Sequence, residues 1–148
     1  MFRKILVGFD GSEPAERALR AACEIANKFD ASLEVSHTPK DETVVFAAEA
    51  ISGVYVGHTA VRDEMIVKAA EEMAKRAREI AAECGHETLE VHIGHGNPAE
   101  DILKRAKDDN VDLIVTGRRG LGDLRGLLLG STSHGIGARA ECACLTVA

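Results

Sequence analysis

Five short apolar runs in this chain are separated by stretches whose apolar residues recur at helical spacing, and that alternation limits the possible folds more than any other feature. The first run, "FRKILVGF", is rich in Ile, Leu and Val and stops at "DGSEP", a cluster of turn and helix-start residues. Ser12 reads as an N-cap with Pro14 in the first turn, and Ala15, Ala18, Leu19, Ala22, Ile25, Ala26 and Phe29 trace one helix face. "SLEVSH", Ser32 to His37, alternates as a second strand, and Pro39 blocks its continuation. Lys40 to Thr59, with Gly53 and Gly57, reads as a long excursion with room for a short helix.

A longer helix is expected from about Ala60 to Cys84. Ile66, Ala69, Ala70, Met73, Ala77, Ile80, Ala81 and Cys84 form its apolar stripe, Gly85 supplies a C-terminal cap, and the charged residues Glu71 to Glu79 make a solvated face. In "ETLEVHI", Leu89, Val91 and Ile93 alternate with Glu90 and His92, the pattern of an edge strand with His92 facing outward. Asn97, Pro98 and Glu100 open a short amphipathic helix carrying Ala99, Ile102, Leu103 and Ala106. "VDLIVT" is nearly all apolar, as a strand inside a sheet must be. "STSHGIGARAE" reads as a weak helix, because Gly135 and Gly137 each cost about 1 kcal/mol relative to Ala, and "CACLTVA" reads as a last strand. The resulting βαβαβαβαβ order implies an α/β fold: an open parallel sheet with right-handed crossovers and helices on both faces. In such sheets ligands sit beyond the C-terminal strand ends where the strand order reverses. With 148 residues, 45% of them hydrophobic, the chain is expected to form a single domain.

Charge and cysteine usage exclude several function classes. Acids outnumber bases 24 to 18, and the basic residues are scattered along helices, so a nucleic-acid groove is not expected. No apolar run approaches the roughly 18 residues needed to span a bilayer. "ILVGF" is too short for a signal peptide, so a cytoplasmic location is expected. Cys23, Cys84, Cys142 and Cys144 form no CxxC and read as inert, buried or half-buried thiols, with Cys142 and Cys144 as a redox or metal pair the lesser alternative. His86, His92 and His95 with Cys84 have no compact tetrahedral spacing and read as surface histidines, His95 lying nearest the ligand edge.

The stretch "GRRGLGDLRGLLLGSTS", Gly117 to Ser133, directly follows the interior strand and holds five glycines and three arginines. Glycines there permit positive φ and let backbone N–H groups approach an anion, and a helix starting at Ser131 adds its N-terminal amides and dipole. A Walker A loop needs Gly-Lys-Ser/Thr, and Gly130-Ser131-Thr132 has no lysine. A dinucleotide fingerprint belongs in the first βαβ unit, not after the fourth strand. The spacing that remains is Gly117, two residues, Gly120, nine residues, Gly130-Ser131. Arg118, Arg119 and Arg125 either neutralise phosphates or are solvated loop charges.

"ILVGFDGSE", "VDLIVTGRRGLG" and "LLLGSTS" together resemble the universal stress protein family over nearly the whole chain. The resemblance implies a five-stranded sheet in the order 3-2-1-4-5. The Gly-x2-Gly-x9-Gly-Ser spacing resembles the ATP-binding branch of that family, and so implies ATP, with Mg²⁺ or Mn²⁺ held mainly by the phosphates. Carried over, Thr116, Gly117, Arg118 and Gly120 are expected at the ribose and phosphates, with Gly130, Ser131 and Thr132 holding phosphate at the start of the last helix. Gly8, Phe9 and Asp10 are expected against the nucleotide, Asp10 either bonding the adenosine or ordering a divalent cation. Thr38, where the family usually has Val, is expected to read the adenine edge through its backbone. The resemblance also implies a homodimer through the last strand, Ala143 to Val147, although Ala143 stands where the family commonly has Pro. The function so implied is an ATP-binding stress-response module that signals occupancy to a regulatory protein partner. Two alternatives stay open: a slow ATP hydrolase or phosphotransferase using Asp10 or His95 as a general base, and a ligand-free dimeric scaffold.

Overall fold

The structure, a computed structural model, describes residues 1–39, 60–121 and 129–148; the Lys40 to Thr59 excursion and Arg125 lie outside the described residues. Along the chain run β1 (Lys4–Gly8), α1 (Glu13–Phe29), β2 (Ser32–His37), α2 (Ala60–Glu83), β3 (Glu90–Ile93), α3 (Pro98–Asp108), β4 (Leu113–Gly117), α4 (Ser131–Arg139) and β5 (Ala143–Val147). The strands form one five-stranded sheet in the order β3-β2-β1-β4-β5, every pairing parallel. This is the order expected. β1 sits at the centre, so the chain builds outward through β2 and β3 on one side and then through β4 and β5 on the other.

Alternation along β1 feeds two cores. Ile5 and Val7 face α1 and α2, where Leu19, Ala22, Ala77 and Ile80 pack against them. Leu6 faces the opposite side, with Ile114 of β4, Ala99, Ile102 and Ala106 of α3, and Ile136 of α4. Helices thus cover both faces, as a parallel sheet requires.

Local signals set the helix ends. Ser12 is the N-cap of α1 and accepts from the Ala15 amide at 3.3 Å. Asn97 caps α3 and accepts from the Ala99 and Glu100 amides. Gly85 has φ of +89° just beyond α2, where the left-handed conformation ends a helix at little cost. Arg76 of α2 pairs with both carboxylate oxygens of Glu16 on α1 at 2.7 Å each, and Arg20 pairs with Glu83 at 2.7 Å, fixing α2 along α1.

Two expectations need adjustment. The edge strand contracts to Glu90–Ile93, and His92 does not point freely outward: it is half-buried, with Nε2 3.6 Å from Asp101 Oδ2. The reason is α3, whose polar face lies over that side of the sheet and also pairs Arg105 with the buried Glu34. The last helix forms despite Gly135 and Gly137, because Ile136 between them is 1% exposed and anchors it in the second core.

Candidate functional site

A cavity of about 510 Å³ opens at the C-terminal edge of the sheet, where the order reverses between β1 and β4. That volume lies within the roughly 300–1,000 Å³ of small-molecule sites. Gly8, Phe9 and Asp10 line it from the end of β1, and Thr116, Gly117 and Gly120 from the end of β4. Gly130, Ser131 and Thr132 contribute at the start of α4, and Thr38 at the end of β2. Residues from four separate segments are therefore brought to one space. Arg118 is the exception among the expected residues: it is exposed, and it is its neighbour Arg119 that lines the cavity. The backbone of Arg118 nevertheless organises the loop. Its amide donates to Val147 O at 2.6 Å, and its carbonyl accepts from the Gly130 amide at 2.8 Å.

Asp10 is held from two directions. Oδ1 accepts from the Ser12 amide at 3.0 Å and from Ser12 Oγ at 2.6 Å, closing the turn between β1 and α1. Oδ2 accepts from the Leu121 amide at 3.1 Å, which fastens the glycine loop to that turn. Gly120 is where the two meet. A Cβ there would lie 2.3 Å from Asp10 Oδ2.

Gly117 has a different reason to lack a side chain. A Cβ would come within 2.8 Å of Pro14 C and 2.9 Å of Ala15 N, both backbone atoms of the first turn of α1. Its glycine therefore serves strand-to-helix packing in addition to any approach by a ligand. Gly130 is looser, with its nearest neighbour, Arg118 O, at 3.4 Å. It occupies the N-cap of α4 with no side-chain cap, so the first-turn amides of that helix are left for an anion. Ser133, 5% exposed, ties α4 to the end of β4 by donating its hydroxyl to Gly117 O at 2.7 Å. Ser133 escaped the sequence reading, although it belongs to the same "GSTS".

On the β2 side, Thr38 is 8% exposed, and its hydroxyl donates to Asp101 Oδ2 at 3.2 Å, as does that of Ser36. Gly94 makes this convergence possible, since a Cβ would lie 2.1 Å from the same oxygen and 2.6 Å from Thr38 Oγ1. His37 is the principal cavity residue that sequence reasoning missed. It is 7% exposed, and its Nδ1 lies 2.7 Å from Phe9 O. Burial lowers its pKa below the usual 6.5, against the opposing effects of the Phe9 carbonyl and the Asp10 charge. The available signal was its place as the last residue of a strand ending at the ligand edge. Ala69, Glu72 and Met73 of α2 also line the cavity, a contribution that depends on how α2 docks.

Comparison with known proteins decides the family. The family model of the universal stress protein family matches residues 1–148. The chain belongs to the universal stress protein family. The universal stress protein YxiE of Bacillus subtilis is 36% identical to it, over 99% of each chain. The hypothetical protein MJ0577, solved for a structure-based assignment of biochemical function, is 27% identical with a TM-score of 0.75, over 99% of this chain and 96% of that one. A universal stress protein solved in complex with cAMP has the same fold, with a TM-score of 0.72 at 24% identity, over 99% of this chain and 97% of that one.

Within this universal stress protein fold the remaining candidates fall outside the cavity. His95 is exposed and does not line it, and His86 faces Cys23 O at 3.4 Å. Among the described residues no group of three or more His, Cys, Asp or Glu side chains is arranged to hold a metal. Cys23 is fully buried, and its thiol is pushed up to about 12 by burial and the adjacent Cys84, so it is unreactive. The Cys142 and Cys144 thiols are also raised by burial, although Cys144 is exposed at residue level. No described helix is long and apolar enough to cross a membrane.

Proposed function

We propose that this universal stress protein is an adenine-nucleotide-binding regulatory module. It holds ATP, with Mg²⁺ or Mn²⁺ carried mainly by the phosphates, and passes its occupancy to a regulatory protein partner. One observation carries the reading: the uncapped start of α4 at Gly130 opens onto the same 510 Å³ cavity as Gly117 and Gly120. Amides and a helix dipole at that end attract phosphate, and the hydroxyls of Ser131 and Thr132 add donors. With phosphate there, the nucleoside extends toward Asp10 and the β2 end at Thr38. The complex of another family member with cAMP supports an adenine nucleotide as the occupant.

Binding is favoured over turnover. Both oxygens of Asp10 already accept hydrogen bonds, and the loop from Gly117 to Ser133 has no lysine to neutralise charge developing in phosphoryl transfer. The homodimer is assigned to β5, an edge strand whose Ala143, Cys144 and Thr146 are exposed in the single chain. Sedimentation velocity tests that assembly directly.

Isothermal titration of MgATP into nucleotide-free protein tests the central claim, with Ser131→Asp as the control. A carboxylate in the first turn of α4 favours the helix dipole, so the variant folds, yet it places negative charge where phosphate would sit. Wild-type binding in the roughly micromolar range, weakened at least about tenfold in the variant, is expected. No heat from folded, demonstrably empty wild-type protein would overturn the proposal.

A further inference from the structure

The hydrogen-bonding state of His37 follows from its neighbours alone. Phe9 O is a carbonyl and only accepts, so the 2.7 Å contact requires His37 Nδ1 to carry the proton and donate it. In the neutral ring Nε2 is then an acceptor. Among the described residues Nε2 has no hydrogen-bond partner, while the side chain is 7% exposed and lines the cavity. An acceptor on a buried ring facing a ligand space discriminates strongly, because a ligand that cannot donate leaves it unpaired. Nearby side chains are already engaged within the protein: the Thr38 and Ser36 hydroxyls donate to Asp101, and Asp10 accepts from Ser12 and Leu121.

We infer that His37 Nε2 is a specificity-determining acceptor for a hydrogen-bond donor on the bound nucleoside, supplied either by the exocyclic amine of the base or by the ribose 2′-hydroxyl. This rests on the nucleotide reading above and adds to it the residue that selects the nucleoside. With phosphate at the start of α4, the end of β2 faces the nucleoside end of the ligand, where both donors reside. The Phe9 carbonyl fixes the ring orientation, so Nε2 offers its lone pair without reorganisation.

Titration calorimetry with ATP, inosine triphosphate and 2′-deoxy-ATP tests the inference in wild-type, His37→Asn and His37→Gln proteins. The shorter amide of His37→Asn retains an N–H at the Nδ1 position for Phe9 O but has no acceptor at the Nε2 position; the longer amide of His37→Gln restores an acceptor there. Wild type is expected to bind ATP about tenfold more tightly than one of the analogues, the weaker analogue identifying the donor. That preference should fall to near unity in His37→Asn and persist in His37→Gln. Equal binding of all three nucleotides by wild type, or an unchanged preference in His37→Asn, overturns the role of His37 while leaving nucleotide binding intact. If wild type binds none of them, the nucleotide reading itself falls, and this inference with it. A measurement on wild type alone covers the case of unfolded variants. The ¹⁵N resonance of His37 Nε2 should move upfield on saturation with ATP, and an unmoved resonance in a saturated sample overturns the inference.

Discussion

Asp10 Oδ2 occupies the space that a side chain on residue 120 would need: it lies 2.3 Å from the position of a Cβ at Gly120 while accepting the Leu121 amide at 3.1 Å. The carboxylate at the end of β1 and the missing side chain after β4 are therefore two halves of one fastening. Together they shape the cavity at the strand switch point.

That relationship makes the two positions thermodynamically coupled. Gly120→Ala should cost about 1–3 kcal/mol, because Asp10 must swing away and release the Leu121 amide. In an Asp10→Ala background the same substitution should cost less, by roughly 1 kcal/mol or more. Urea denaturation of the four proteins of this cycle measures the coupling, and additive effects would show that the fastening contributes nothing.

The glycines of the loop should not respond alike. Gly117→Ala sets a Cβ against the backbone of Pro14 and Ala15, which cannot rotate away, and should destabilise by about 2–3 kcal/mol. Gly130→Ala, with its nearest neighbour at 3.4 Å and φ of −67°, should cost under about 1 kcal/mol. Thermal unfolding of the pair distinguishes them. For this reason substitution at residue 117 is a poor probe of ligand binding, and Ser131 is the better one.

Ser133→Ala removes the hydroxyl that donates to Gly117 O at 2.7 Å and leaves that buried carbonyl with one partner fewer. A loss of about 1–2 kcal/mol in stability is expected. Faster amide exchange in α4, read by hydrogen–deuterium exchange, should accompany it.

His37 makes stability depend on pH in a definite direction. Its folded pKa lies below the unfolded value of 6.5, so the unfolded chain binds the proton more readily. The contribution is complete above pH 6.5, declines as pH falls, and is lost once pH has passed through the folded pKa. Asp10 and the Phe9 carbonyl act in the opposite sense and favour the protonated ring, while Glu72 from α2 and Arg119 on the loop also line the cavity. Denaturation midpoints measured between about pH 8 and 5 should show this decline in wild type, and a shallower one in His37→Asn.

A core truncation provides the scale for these effects. Ile80, on α2 and fully buried against the sheet, should cost about 2–5 kcal/mol as Ile80→Ala, more than Ser133→Ala or Gly130→Ala. Guanidinium denaturation checks the ranking.

Much of this protein is written locally. The element order follows from apolar periodicity, the helix starts from Ser12 and Asn97, and the end of α2 from Gly85, because capping and amphipathicity act over a few residues. The Gly117, Gly120 and Gly130 spacing is equally visible, and with the opening "ILVGFDGSE" it carried the family resemblance and the strand order. Tertiary structure decided what each of those residues does. Gly117 is fixed by the backbone of α1, and Gly120 by a carboxylate 110 positions earlier in the chain. His92 turned from an expected surface residue into a neighbour of Asp101 because α3 docks over the edge strand. His37 gained a defined tautomer and a place in the cavity only through the carbonyl of Phe9, just beyond the adjacent strand β1. Periodicity and caps are sensed within one turn or one strand, whereas clearance, burial and hydrogen-bond partners depend on segments that meet only when the sheet closes its order around β1.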